Sequence, residues 1–183
     1  MQRQSNSKLS LFLMELIVAI MFFSLAAAIC VRLFASAHFL AEKTESLSNA
    51  VIWSQNVAEA FTGNKGDLEK IVSMFPGSYF MPSDSSGREG QLMLFLDENW
   101  ESVDNSLSEA SYEVYLDVAV KSAEEVYSDV KDYGVKLQGD AIVGKILILD
   151  VKNVTEDYSS IPQDPDRLIL SNSVDAYIGK EGR

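Results

Sequence analysis

The chain has 183 residues, of which 27 are acidic, 15 are basic and 47% are apolar, enough for one modest folded domain beside a membrane segment. Residues 1–62 balance four acids (Glu15, Glu42, Glu45, Glu59) against four bases (Arg3, Lys8, Arg32, Lys43), so the whole net charge of -12 falls after them. A domain of that sign repels phosphate backbones, which argues against direct nucleic-acid binding, and the single cysteine, Cys30, excludes an intrachain disulfide.

Residues 1–10, MQRQSNSKLS, form a short polar leader with Arg3 and Lys8 as its only charged side chains. Basic flanks stay in the cytoplasm, so the amino end is expected inside and everything after Arg32 outside the cytoplasm. From Leu11 to Val31 the chain offers 21 positions with one ionisable side chain, Glu15. A bilayer core needs roughly 20 apolar residues in a helix, so this run is expected to span. A secretory signal peptide has the same layout, but its apolar core is roughly 7–15 residues long. The length of the run, with Ala26, Ala27 and Ala28 inside it, therefore favours a retained helix.

No glycine or proline occurs before Gly63, so the helix is expected to continue from Ser10 to Phe61, roughly half of it beyond the membrane. In that outer half, residues 32–62, Leu40, Leu47, Ala50, Val51, Val57, Ala58 and Phe61 are expected to form one broad apolar face. Gly63-Asn64 is a candidate left-handed stop. A carboxylate inside a membrane run is costly and is retained for a purpose, so Glu15 needs a partner or a route to water at the interfacial edge.

These residues resemble the amino-terminal pattern of type IV prepilins and the pseudopilins of related secretion and DNA-uptake machines. The pattern is a short basic leader, a small residue at the cut, then an apolar helix with glutamate at its fifth position. Lys8-Leu9-Ser10 followed by Leu11-Phe12-Leu13-Met14-Glu15-Leu16 fits it, with Ser10 and Leu11 standing where the family most often has glycine and phenylalanine. The resemblance implies cleavage between Ser10 and Leu11 by a prepilin peptidase, with Glu15 as the assembly residue. It also implies a non-enzymatic minor subunit, no cofactor, other pilin-like subunits as partners, and a place in the cytoplasmic membrane and then in a pilus or pseudopilus. In physical terms, the new amino group at Leu11 is a cation in an apolar setting, and Glu15 of a staggered neighbour can neutralise it.

Residues 63–183 read as an acidic α+β head. Asp67 can cap a short helix running to Phe75 and ended by Pro76-Gly77, and 82–90, PSDSSGREG, has turn composition throughout. Beyond it the period changes to two. Strands are expected over 91–96, 112–121, 141–152 and 167–178, the last two separated by a turn at 162–165. Four consecutive strands predict an antiparallel sheet with one covered face, the long helix being the cover. Trp53, Val57 and Phe61 would then pack on Tyr112, Val114, Leu116 and Val118, while Glu113, Asp117 and Lys121 face water.

No phosphate-binding loop, dinucleotide fingerprint or zinc spacing occurs, and His38 and Cys30 both lie on the long helix. The best cation candidate is the oxygen set Asp97, Asn99, Glu101 and Asp104, although it lacks the glycine and the terminal glutamate spacing of an EF-hand. The alternative to a filament subunit is a single-pass membrane protein whose exported sheet binds a ligand or partner with the leader left in place.

Overall fold

A computed structural model describes residues 3–83, 87–104, 108–129, 137–154 and 164–179, with backbone alone for 3–8. The chain divides into two compact units, 1–45 and 46–183. Helix α1, Arg3–Gly63, makes up the first and supplies the opening element of the second. It starts seven residues before the expected Ser10, because nothing between Arg3 and Leu9 breaks a helix.

From Ser46 onward α1 buries a stripe made of Ala50, Ser54, Val57, Ala60 and Phe61, at the three- and four-residue spacing of one helical face. Leu40, Leu47 and Val51, expected on that face, are exposed instead. Ala50, Val57 and Phe61 are buried as expected and Ala58 packs at the margin of the core, so the buried face is narrower than the apolar residues mark. The polar residue Ser54 occupies the centre of the buried stripe because Asn172 Nδ2 donates to its hydroxyl at 3.1 Å, while Leu47 and Val51 sit about one residue step round the helix.

The helix ends at Gly63, but the left-handed residues are Lys65 and Gly66 rather than Gly63 or Asn64. Gly66 donates its N–H to Phe61 O, and a Cβ there would lie 2.6 Å from Ile142 Cγ2, so both its φ of +73° and its contact demand glycine. Asp67 then caps α2, Leu68–Met74, by accepting the Lys70 N–H, and Leu68 and Ile71 enter the core.

Five strands, not four, follow in a simple antiparallel meander: β1 Tyr79–Pro82, β2 Gly90–Leu96, β3 Tyr112–Ser122, β4 Asp140–Asp150 and β5 Leu168–Gly179. A short α3, Ala123–Val126, stands between β3 and β4. The unexpected strand is β1. It pairs Phe80 with Leu92 and Pro82 with Gly90, so the stretch read as turn throughout supplies strand residues at both ends. Four residues ending in proline show too little alternation to be recognised as a strand. Of the turn expected at 162–165, only Asp164 and Pro165 lie among the described residues.

The α+β arrangement of a long amino-terminal helix packed on an antiparallel sheet is therefore present, and it is consistent with a pilin-like fold. Val57 and Phe61 join Leu92, Leu94, Val114, Leu116, Val118, Ile146 and Ile148 in one core, with Trp53 packed at its margin. At the centre Gly144 makes room for the Phe61 ring.

The opposite face of the sheet is also covered over part of its area. Met93, Phe95, Tyr115, Leu147 and Leu149 form a second cluster with Ala110 and Val151. Glu113, expected to be solvated, is fully buried there. Alternation along β3 placed its side chain correctly but could not reveal that Val103, Ala110, Val151 and Val154 pack over that face.

Candidate functional site

The three residues expected to act in processing and assembly lie on one uninterrupted stretch of α1. Ser10, Leu11 and Glu15 are all exposed, and the described apolar part of the membrane run has no buried residue. Leu11 and Glu15 are four positions apart, so they share a helix face with one turn between them. Within this run Ser24 satisfies its hydroxyl by donating to Ile20 O at 2.8 Å, which removes its cost in an apolar medium. Among the described residues no hydrogen bond or ion pair reaches Glu15, which is absent from every such contact. It is the one polar side chain in the run left with an open demand. This helix is long and apolar enough to cross a membrane.

Beyond the run, His38 Nε2 lies 3.4 Å from Glu42 Oε1 one turn on, with both side chains exposed. That is a helix-surface pair. His38 has no nucleophile beside it among the described residues.

The candidate cation ligands serve a different purpose. Asp97 Oδ1 accepts the Asn99 N–H at 2.8 Å and the Glu101 N–H at 2.9 Å, closing a tight turn after β2. Those bonds, the one from Glu101 foremost, hold the Asp97 carboxyl below its ordinary value. The turn forces Trp100 into the left-handed region at a φ of 64° and lays its indole on Tyr112, with ring centroids 3.9 Å apart and planes 16° from parallel. Tyr112 is bracketed further. Its hydroxyl lies 3.4 Å from Ser46 Oγ on α1, and Lys152 Nζ stands 4.8 Å from its ring centroid.

Asp104 Oδ1 lies beside Gly77, in the turn that follows α2. Among the described residues no three His, Cys, Asp or Glu side chains come together in a way that could hold a metal ion. The four oxygen ligands read from the sequence are thus not gathered into a cation site. What the spacing D-E-N-W-E marks is an aspartate turn that presents a tryptophan, and the signal for it was Trp100 itself, the one large apolar residue in an acidic stretch.

Two further features escaped the sequence. Asn172 on β5 ties itself to buried Ser54 on α1, a pairing over 118 positions that no local pattern announces. Tyr127 donates its hydroxyl to Asp175 Oδ2 on β5 at 2.5 Å, and burial together with that carboxylate pushes the phenol up to about 12. Between α1 and α2 a groove of about 580 Å³ is lined by Trp53, Asn56, Glu59, Met74, Phe75 and Leu94. In comparisons with known protein families, characterised proteins and solved structures, nothing matches this chain.

Proposed function

We propose that this protein is a structural subunit of a type IV pilus or a related pseudopilus, inserted with its amino end in the cytoplasm. On this reading a prepilin peptidase hydrolyses the Ser10–Leu11 bond and the subunit assembles with other pilin-like subunits through α1. The observation that carries the reading is Glu15, an acid without an ion-pair or hydrogen-bond partner among the described residues and set one helical turn from Leu11 on an unburied apolar helix.

A neighbouring helix displaced by one turn, about 6 Å, brings its carboxylate level with the amino group released at Leu11. Two charges that are each unfavourable in the apolar medium then neutralise one another, and the pairing selects a stagger as well as a contact. Leu47 and Val51, exposed beside the buried stripe of α1, add apolar surface to the part of the helix that packs on the sheet. In such an assembly the 46–183 unit decorates the outside. Its role is contact, with no chemistry of its own.

Glu15→Ala tests this. Membrane insertion and head folding, read by protease protection and thermal unfolding, should match the wild type. Cross-linking to neighbouring subunits in cells with the assembly machinery should fall sharply. Normal incorporation of the variant would contradict the role of Glu15.

A further inference from the structure

The two edges of the sheet are built differently. β1 has four residues and ends on Pro82, which has no N–H to offer. β5 has twelve residues, contains no proline, lysine or arginine, and carries one charge, Asp175. Short strands, proline and lysine are among the ordinary means of closing a sheet edge to other chains, and β5 uses none of the three; its register with β4 shifts only near its two ends. None of its residues is buried.

We propose that the outer edge of β5 is a docking site for an extended polypeptide strand that alternates apolar with lysine or arginine side chains. Every second residue of an edge strand turns its N–H and C=O outward, and only another extended backbone matches that row of donors and acceptors. One of the β5 donors is already engaged, since Asn172 Oδ1 accepts the Ser173 N–H at 2.9 Å, and an incoming carbonyl replaces that bond.

The two sides of β5 specify the side chains of the occupant. On the helix side Val174, Ala176 and Ile178 are half-buried at the margin of the main core, so a strand laid beside them buries apolar groups. On the other side stand Asp175, whose Oδ2 already accepts the Tyr127 hydroxyl, and Tyr177, which the Tyr127 ring meets edge-on, both exposed. Acids also mark the ends of the edge: Asp164 and Asp166 precede β5, and Asp140 lies opposite Gly179. Of the nearby bases, Arg167 is matched, its Nε lying 3.5 Å from Asp164 Oδ2, and Lys145 stands in register with Ser173 on one side and Asp117 on the other, a single exposed base against Asp140, Asp166 and Asp175. The remaining negative charge selects a basic partner and disfavours a second copy of this chain, which would bring another -12 to the contact. This inference is independent of cleavage at Ser10.

The test uses the full chain in detergent micelles and a fluorescein-labelled peptide alternating valine and lysine, with a control peptide of the same composition arranged in two blocks. The alternating peptide should bind at least about tenfold more tightly than the block peptide. It should also slow amide hydrogen exchange in β5 and not in β1. Ser173→Pro should abolish the difference between the peptides, and Asp175→Lys should weaken the alternating peptide several-fold. If Ser173→Pro does not fold, the exchange pattern and Asp175→Lys decide the matter. Equal binding of the two peptides, protection outside β5, an unaffected Asp175→Lys, or concentration-dependent protection of β5 without peptide would each overturn the proposal.

Discussion

Gly144 is a tight point in the packing of α1 on the sheet, and replacing it with alanine puts a number on that contact. A Cβ at position 144 would stand 2.9 Å from Phe61 Cε2, 2.9 Å from Val174 Cγ2 and 3.1 Å from Leu116 Cδ1. All three atoms belong to side chains of the main core or its margin, so none can yield without disturbing others. Overpacking of this kind costs about 1–3 kcal/mol. The backbone works in the opposite sense, because glycine to alanine at a position with ordinary φ stabilises by about 0.4–1 kcal/mol through the unfolded chain. The steric term is the larger, and a net loss of about 1–2 kcal/mol is expected. In a unit of this size that lowers the unfolding midpoint by about 3–8 °C.

Denaturant unfolding followed by tryptophan fluorescence measures the loss, and the double variant Gly144→Ala, Phe61→Leu isolates its cause. Phe61→Leu alone should destabilise by removing ring contacts. Combined with Gly144→Ala it should cost less than the sum of the two, since the smaller side chain vacates the space the new methyl needs. Strict additivity, or a Gly144→Ala variant as stable as the wild type, would refute the claim that Phe61 is what Gly144 accommodates.

The other contacts give sharper local readouts. Asn172→Ala removes the donor to the buried Ser54 hydroxyl and should destabilise the unit by about 1–3 kcal/mol, and Ser54→Ala should recover part of that loss in the double variant. Asp97→Ala should free Trp100 from Tyr112, seen as a red shift and loss of near-ultraviolet dichroism in a Trp53→Phe background; unchanged spectra would refute the turn's role. Because the Asp97 carboxyl is held below its ordinary value in the folded chain, the turn's contribution should be complete above the unfolded aspartate value and fade as pH falls through the lowered folded one. A Trp100 signal that changes only above the ordinary aspartate range would contradict this sign.

What the sequence made legible follows from the range over which each feature is encoded. The unbroken helix, the Asp67 cap and the four longer strands are local signals, carried by missing breakers, one side chain and period-two alternation. The partners foreseen for Val57 and Phe61 were correct because strong alternation in β3 leaves one choice of inner face. The burial of Ser54 within that face of α1 was not legible, since its hydroxyl is bonded to a residue 118 positions away. Nor could alternation show that Glu113 is covered, because the cover comes from segments with no period of their own. The DENWESVD stretch misled for a chemical reason: the same carboxylate spacing serves a cation or a backbone turn, and only the geometry of Asp97 Oδ1 tells them apart.

The claim on which the account rests is that α1 becomes an assembly element once the leader is removed at Leu11. Determining the amino-terminal residue of the protein extracted from membranes of cells with an active prepilin peptidase tests it most directly. The account predicts a chain that starts at Leu11; a chain that starts at Met1 or Gln2 under those conditions would contradict it.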